Sequence, residues 1–517
     1  MSAALHTVHL RVNDAANGQP TPVRLRITDS EGVYYAPLGR LTCVALGAGE
    51  DVGGNVLVNG LPYAYIDGQC EIQLPAGTLL IEISKGPEYQ TLRHEITLGA
   101  GQMALRFAIE RWIHVREKNW YSGDTRAEFL TPHAALLEAA AEDLSVVNLL
   151  ARSSRSQCPV EATSGDRASA ASGFASQPAL SNILAFSGQR PALEMPGHMV
   201  VVNTGNSHPV LGSLGLLNCH RPVYPLSFGG SDGLDNWSLA DWCDQCHRKG
   251  GLAIGTKLWR KDTGYTPGEI LADLILGKVD ALEIEAENAT CDVLSDWYGL
   301  LNCGFRVPLV AGSGKDSNRV VLGGMRTYAR IPPGEELTYK NWIEAVRAGG
   351  VFITNGPLLS FTVNGEDPGA TITSPSTAST VRVRAQARSA VPFEQLELVC
   401  NGAVMARAPA SGSPALAELE VDLPGQESGW VAVRCRGQQH GFAHSAPIYL
   451  QMEGRPRPPD SAALAKLVGH LDRALAWVQR EGRFENDHQR ENLAGIFQAA
   501  RDELSERQGR DQAGDRR

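Results

Sequence analysis

The chain has few aromatic residues, no excess of basic residues and no long apolar run. Aromatic residues make up 6% of its 517 residues, and the formal net charge is -10. A negative net charge gives no reason to expect a nucleic acid or an anionic membrane surface as a partner. Without an uninterrupted apolar stretch of about 20 residues, the sequence also predicts no membrane insertion.

Regular cysteine spacing and a recognisable export signal are also missing. The ten cysteines are irregularly spaced, which is typical of reduced thiols rather than of a disulfide framework. The N-terminal residues lack a basic region followed by an apolar stretch, so we expect a cytoplasmic protein. If the true start lies upstream, a secreted or periplasmic location becomes the expectation.

Hydrophobic periodicity divides the chain into four regions, as expected for a length that exceeds one core. Residues 1–112 alternate apolar and polar residues and predict an N-terminal β-sandwich. Residues 113–357 alternate strand and helix patterns, which predicts a mostly parallel sheet, open or closed into a barrel. Residues 358–452 predict a second β-sandwich, and residues 453–517 predict a helical hairpin with a disordered tail from Gln508.

The α/β region carries five helix patterns and a series of short apolar strands. The predicted helices are Pro132–Leu144, Ser238–Lys249, Pro267–Lys278, Val293–Asn302 and Tyr339–Ala348. The predicted strands include Ser145–Ala151, Asn182–Gly188, His198–Thr204, Leu252–Lys257, Ala281–Ala286 and Val307–Gly312. Ser153–Pro178, rich in Ser, Ala and Gly, interrupts the series and predicts a surface loop.

Cys243-Asp-Gln-Cys246-His247 has the spacing of a haem c attachment site. The motif lies inside a predicted helix in which Leu239, Trp242 and Cys246 share one face. A helix with a buried thiol face is therefore the favoured interpretation, ahead of a zinc site or a haem.

The stretch Asn119–Phe129 is the strongest candidate for a functional site. It lies where the first strand of the α/β region leads into its first helix, a common place for chemistry in such domains. Trp120 and Tyr121 offer flat apolar surfaces, while Asp124, Arg126 and Glu128 supply charge.

Two further positions are candidates for the rim of the same site. His198 follows a Pro-Gly turn at the head of a strand. Asp316 lies in the glycine-rich stretch Gly312-Ser-Gly-Lys-Asp-Ser-Asn318, just beyond a buried strand. Such a loop is either the edge of a site or a polar turn that caps the next segment.

Four motifs together resemble the CehA/McbA-type metallohydrolases, which have the distorted (βα)7 barrel of the polymerase-and-histidinol-phosphatase (PHP) group. The motifs are Trp120-Tyr-Ser-Gly-Asp-Thr125, Pro196-Gly-His198, Gly312–Asn318 and Phe352-Ile-Thr-Asn-Gly-Pro-Leu-Leu359. The resemblance extends from about residue 80 to about residue 370. It implies a PHP-like barrel flanked by β-domains, and two or three metal ions that activate water against an ester, carbamate or phosphoester.

Most metal-ligand positions of that family are substituted in this sequence. The resemblance places the family's His-x-His pair on Arg126 and Glu128, an acid on Arg190 and a later histidine on Lys257. A Thr-Asp-His motif falls near Ala151–Ser153 and has no counterpart. The surviving candidates are His198 and the Asp316-Ser317-Asn318 segment.

The substituted positions are mainly cationic, and this predicts an ion-pair cluster in place of metal. Arg126, Arg190 and Lys257 would repel a divalent ion by several kcal/mol each at low effective dielectric. The same side chains can pair with the remaining acids Asp124, Glu128 and Asp316.

Two functional hypotheses follow from the resemblance. In the first, favoured by the losses, the protein is a pseudoenzyme that binds an anionic or sugar-like small molecule and needs no metal. The residues for such a ligand would be Trp120, Tyr121, Arg126, Arg190, Asn203, Lys257 and Asn318. A variant of this hypothesis makes the protein a scaffold whose β-domains are the working surfaces.

In the second hypothesis the protein is an active metal-dependent hydrolase with a reduced site. Glu128, His198 and Asp316 would hold one Zn or Mn ion, since three protein ligands suffice for one catalytic ion. Asp124 would orient a ligand or act as the base, which makes Asp124, Glu128 and Asp316 the catalytic candidates.

Overall fold

The structure is a computed structural model. It describes residues 5–46, 52–152, 182–229, 233–256, 259–260, 266–284, 292–374, 380–424, 428–437, 441–452 and 457–514. Two predictions, the Ser153–Pro178 loop and the role of Lys257, lie outside these residues. Among the helices described, none is long and apolar enough to cross a membrane.

The N-terminal region is a β-sandwich, as its alternating pattern predicts. Its strands are β1 (Leu5–Asp14), β2 (Val23–Asp29), β3 (Tyr34–Tyr35), β4 (Asn55–Val58), β5 (Leu61–Ile66), β6 (Gln69–Pro75), β7 (Gly77–Ser84), β8 (Leu92–Leu98) and β9 (Ala104–Ile109). One sheet has the order β6-β1-β9 and the other β4-β5-β2-β7-β8, with β3 beside β2. Their inward side chains share one apolar core, because alternate residues of each strand face the opposite sheet.

The middle region is a mixed α/β unit built on a large curled sheet. Its strands are β10 (Trp120–Ala127), β11 (Val146–Ala151), β12 (Leu193–Met195), β13 (His198–His208), β14 (Gly212–Leu217), β15 (Leu252–Gly255), β16 (Trp259–Arg260), β17 (Thr266–Pro267), β18 (Ala281–Ile284), β19 (Leu309–Ala311), β20 (Arg326–Arg330) and β21 (Val351–Thr354). Its helices are α1 (Pro132–Ala141), α2 (Leu239–Arg248), α3 (Ile270–Ile275), α4 (Asp292–Asn302) and α5 (Tyr339–Arg347).

The sheet is parallel in two blocks that an antiparallel strand separates. β10, β11 and β13 run parallel, as do β15, β18 and β19. β14 lies antiparallel between the blocks because a short turn joins it to β13, whereas a parallel neighbour needs a long crossover. The sequence pattern did not predict this strand. The predicted strand Asn182–Gly188 is also wrong, since a 3-10 helix occupies Ile183–Ala185.

The β19 end of the sheet curls back towards β10. The segment that follows β19 pairs with the end of β10: Gly314 N donates to Arg126 O at 2.9 Å, and Glu128 N donates to Lys315 O at 2.6 Å. On one face of the sheet α1 packs against Val147 and Val200. On the other face α5 packs so closely that a Cβ on Gly123 would lie 2.4 Å from the Trp342 ring.

The C-terminal β-region contributes strands to the curled sheet, so that sheet extends beyond the α/β region. Its strands are β22 (Leu358–Val363), β23 (Thr371–Ser374), β24 (Thr380–Ser389), β25 (Gln395–Cys400), β26 (Ala403–Pro409), β27 (Ala415–Pro424), β28 (Gly429–Arg436), β29 (Ala443–Ser445) and β30 (Ile448–Met452). β21 pairs with β20 on one side and with β29 on the other. A separate sheet, β22-β24-β27, completes the sandwich.

A helical hairpin closes the described chain. Its helices are α6 (Ser461–Arg480) and α7 (Asp487–Gly514), and their apolar residues join the core of the α/β region. α7 extends to Gly514, past Gln508, from which the sequence predicts a disordered tail.

Candidate functional site

The end of β10 carries the charged residues that the sequence singles out. Asp124 is completely buried, and its carboxylate accepts backbone hydrogen bonds from Arg126, Ser313 and Gly323 at 2.9–3.0 Å. Burial raises the pKa of Asp124, and hydrogen bonds from Ser313, Arg126 and Gly323 oppose that rise. With both oxygens used by backbone donors, Asp124 fixes the loop after β19 to β10 rather than facing a ligand.

Arg126 lies between two buried carboxylates. Its Nε donates to Glu283 Oε1 at 2.7 Å, and its Nη1 lies 3.4 Å from Glu128 Oε1. Glu283, from β18, also accepts a hydrogen bond from Thr125 Oγ1 at 2.5 Å. A buried guanidinium that bridges two carboxylates compensates charges that would otherwise be costly to desolvate.

A second arginine completes this group. Arg152, directly after β11, pairs through Nη1 with Glu128 Oε1. Burial alone would raise the pKa of Glu128, but the charges of Arg152 and Arg126 outweigh it and hold the pKa below its usual range. We call Arg126, Glu128, Arg152 and Glu283 the carboxyl-edge cluster, because they lie where the parallel strands end.

Glycines make room for both arginines. A Cβ on Gly314 would lie 2.9 Å from Arg126 Nη2, and one on Gly205 would lie 2.7 Å from Arg152 Cγ. Gly314 also has a φ of +63°, which other residues rarely adopt. The position of the Arg126 side chain in the cluster therefore depends on Gly314 of the glycine-rich loop.

The carboxyl-edge cluster does not fit a metal ion. Its carboxylates already accept from guanidinium and hydroxyl donors, and it contains no histidine. Among the described residues no group of three or more His, Cys, Asp or Glu side chains could hold a metal. Two fixed cations beside the carboxylates would also repel a divalent ion.

His198 lies at the opposite edge of the sheet from Glu128. It opens β13, whereas Glu128 follows β10, and the strand register places the two residues five positions apart along the strands, about 16 Å. His198 Nδ1 lies 2.6 Å from Leu144 O. Burial lowers the pKa of His198 to about 4, despite the opposing charge of Asp143, so the ring is neutral at pH 7.

The loop Gly312–Asn318 docks against the N-terminal β-sandwich. Asn318 is buried, and its side chain accepts from Gly53 N at 2.9 Å and donates to Ala45 O at 3.0 Å. Lys315 points inward, where Nζ lies 3.3 Å from Glu138 of α1. The Asp316 side chain is exposed instead, so the structure does not bring the proposed ligands Glu128, His198 and Asp316 together.

The remaining predicted ligand-binding residues are dispersed. Arg190 is exposed, in the segment before β12. Trp120 is buried with its ring 5.0 Å from that of Phe352, and Tyr121 packs partly buried against the core beneath α5. These aromatic side chains are used in packing, and this removes the stacking surface that the sequence predicts.

Asn203 is fully buried in a closed polar network. Its Nδ2 donates to Asn148 Oδ1 at 3.2 Å and to Tyr339 OH at 3.0 Å, and its Oδ1 accepts from Asn218 N. Tyr339 OH in turn donates to Asn148 Oδ1 at 2.7 Å. The network joins β11 and β13 to α5, so the role of Asn203 is structural.

Sequence reasoning missed Arg152 and Glu283. Glu283 lies in the stretch Ala281-Leu-Glu-Ile-Glu-Ala286, where acidic and apolar residues alternate, so nothing marked it as a buried charge rather than a solvent-facing one. Arg152 gave no signal either, because a charged residue at the end of a strand is ordinary.

Comparison with known protein families finds none that matches the chain, and none of the curated proteins matches it either.

Proposed function

We propose that this protein is a non-catalytic relative of the CehA/McbA-type metallohydrolases that binds a small anionic molecule at the carboxyl edge of its curled sheet. The curled sheet would derive from the family's distorted (βα)7 barrel. The contact between the loop after β19 and the end of β10 supports that origin. The antiparallel strand β14 would be a departure from it.

One observation carries the binding proposal. Arg152 Nε is buried and has no hydrogen-bond partner among the described residues, although Nη1 of the same side chain pairs with Glu128. A buried donor without a partner costs about 1–3 kcal/mol. A carboxylate, phosphate or sulfate oxygen placed at the Nε edge would supply the missing acceptor and a second charge-assisted hydrogen bond.

The ligand is anionic rather than a stacked sugar, because Trp120 and Tyr121 are used in packing. The arginine charges are balanced by Glu128 and Glu283, so we expect modest affinity. A ligand at ten times its dissociation constant stabilises a protein by about 1.4 kcal/mol, or roughly 1–3 °C in unfolding temperature for a chain of this length.

Thermal unfolding in the presence of small anions tests this proposal. Phosphate, sulfate and glucuronate are compared with glucose and with sodium chloride at equal ionic strength. We expect the anions to raise the unfolding temperature of the wild type and of Arg190→Met, whose arginine is exposed, but not of Arg152→Met. Glu128→Gln removes the carboxylate that competes for Arg152 and should enlarge the shift.

Equal shifts in Arg152→Met and Arg190→Met would overturn the binding site, as would a shift with glucose as large as that with glucuronate. The hydrolase hypothesis is tested in parallel with aryl ester and aryl phosphate substrates, with and without added zinc or manganese. Turnover that a chelator abolishes and that Glu128→Gln removes would replace the binding proposal with an enzyme.

A further inference from the structure

Two buried cysteines lie in contact at the end of α2. Cys219 follows β14, Cys246 belongs to the last turn of α2, and their sulfur atoms are 3.4 Å apart. Neither side chain is exposed to solvent. The contact brings together residues separated by 27 positions in the sequence, which no local motif requires.

Hydrogen bonds on both sides of Cys219 connect its segment to the end of α2. Asn218 Nδ2 donates to Gly250 O at 3.0 Å, and His220 N donates to Lys249 O at 3.1 Å. A Cβ on Gly251 would lie 2.4 Å from the Cys219 sulfur and 2.5 Å from the Cys246 sulfur. Only glycine at 251 therefore leaves room for the pair.

We expect Cys219 to be the nucleophile of the pair. The hydrogen bond between the two sulfurs lowers the pKa of Cys219, burial opposes this, and the charge of Lys249 lowers it further. The pKa of Cys246 is raised by the same contact with Cys219 and by burial. The thiolate is the reactive form of cysteine, so oxidation should begin at Cys219.

We propose that Cys219 and Cys246 are a reversible oxidation site that forms a disulfide when the protein meets a peroxide. The Cys219 thiolate attacks one peroxide oxygen, the O–O bond breaks, and water leaves after protonation of the departing hydroxide. The resulting sulfenic acid is attacked by Cys246 sulfur, which loses its proton, and a second water leaves. Two thiols and one hydrogen peroxide thus give one disulfide and two waters.

The geometry needs little rearrangement to reach the product. A disulfide bond is about 2.05 Å long, so the sulfurs must close by about 1.4 Å. The pair lies beneath the exposed residues His220 and Gly250, and a small peroxide needs only a local opening there. The bond would tie the end of β14 to α2, next to Asn218 and its contact with the buried Asn203 network.

Peptide mapping of the full chain tests the proposal. Reduced protein is treated with a small excess of hydrogen peroxide, remaining thiols are alkylated in denaturant, and the chain is cleaved on the N-terminal side of aspartates. Cleavage before Asp235, Asp241 and Asp244 separates Cys219, Cys243 and Cys246 into different peptides. We expect a linked pair of the Cys219 and Cys246 peptides, 2 Da lighter than the two free peptides, which dithiothreitol separates again.

Variants supply the controls. Cys243→Ala, one helical turn before Cys246, should leave the link intact, whereas Cys219→Ser should abolish it. The oxidised wild type should unfold about 5 °C higher than the reduced protein, because the bridge restricts the unfolded chain. Alkylation of both Cys219 and Cys246 after peroxide treatment that oxidises the exposed Cys43 would overturn the proposal, as would a link to Cys243.

Discussion

A cluster of ion pairs lies at each end of the parallel strands of the curled sheet, and the two clusters differ in their surroundings. The amino-edge cluster consists of Glu88, Arg111, Arg116 and Asp143, at the end where β11 begins. There Arg111 binds Glu88 at 2.6 Å and Asp143 at 2.8 Å, while Arg116 lies 3.1 Å from Asp143. Glu88 comes from the N-terminal β-sandwich, so this cluster joins two regions of the protein.

The two clusters differ in the protonation of their carboxyl groups. Burial raises the pKa of Glu88 to about 7, helped by the nearby Asp143 and opposed by Arg111. At the carboxyl edge the arginines hold the pKa of Glu128 low despite similar burial. Glu128 contacts two arginines, whereas Glu88 contacts Arg111 and lies near the carboxylate of Asp143. The balance of neighbouring charges, rather than burial alone, therefore decides whether a buried carboxyl stays charged.

The largest expected effect comes from removing the arginine that bridges the carboxyl-edge cluster. Arg126→Met leaves Glu128 with one partner and Glu283 without its guanidinium, and we expect a loss of about 3–5 kcal/mol in unfolding free energy. At the amino edge, Arg116→Met removes one of the two arginines that contact Asp143, and it should cost less because Asp143 retains Arg111. Denaturant unfolding measures both, with Arg190→Met as the exposed control. Equal losses of unfolding free energy in Arg126→Met and Arg116→Met would contradict the proposed difference between the two clusters.

The second prediction concerns pH. The folded protein keeps a proton on Glu88 up to about pH 7, whereas the unfolded chain releases it near the ordinary pKa of 4.5. The stability from this group is therefore full below pH 4.5 and is lost as the pH rises to about 7, by up to about 1.4 kcal/mol per unit.

Glu128 has the opposite sign, since its stabilising effect is present above its unfolded pKa and is lost only in acid. Unfolding free energies at pH 5, 6 and 7 should thus fall less steeply in Glu88→Gln than in the wild type, while Glu128→Gln keeps the wild-type slope. A flattened slope in Glu128→Gln instead would reverse the assignment.

The third prediction concerns Gly314, which lies against the Arg126 guanidinium. Gly314→Ala combines an unfavourable positive φ with a clash at the guanidinium, and we expect about 2–3 kcal/mol of destabilisation. Gly334→Ala is the matched control, because Gly334 has a φ of +89° but no heavy atom within 4 Å of an added Cβ. It should cost about 1 kcal/mol. Equal losses in the two variants would mean that the arginine is not confined there.

The smallest effect is expected at Asp316. Its side chain is exposed, so Asp316→Ala should change the unfolding free energy by less than about 0.5 kcal/mol. It should also leave the anion-dependent thermal shift unchanged. A large loss of either property would show that Asp316 belongs to the carboxyl-edge site.

Much of the fold follows from sequence periodicity. Helices such as α2 and α5 begin within one residue of the predicted position, because Ser238 and Thr338 cap them through hydrogen bonds to the third residue of each helix. The antiparallel strand β14 and the continuity of β21 with β29 were missed. Strand pairing between distant segments is set by tertiary contacts that local patterns do not contain.

The candidate site was predicted less completely than the fold. The sequence placed Arg126 and Glu128 together. It could not show that Asn203 would be hydrogen-bonded in the interior or that Trp120 would pack against Phe352. Nor could it tell that the loop after β19 would turn Lys315 inward and Asp316 outward. Side-chain direction in a loop depends on what docks against it, here α1 and the N-terminal β-sandwich.

We propose that guanidinium groups occupy the position that metal ions take in the family that the sequence resembles. Metal content of the full chain measures this most directly, after incubation with excess zinc or manganese, removal of free metal and elemental mass spectrometry. We expect well below one equivalent per chain, and the same value for Glu128→Gln. One or more tightly held equivalents in the wild type, lost in Glu128→Gln or in Glu283→Gln, would contradict it.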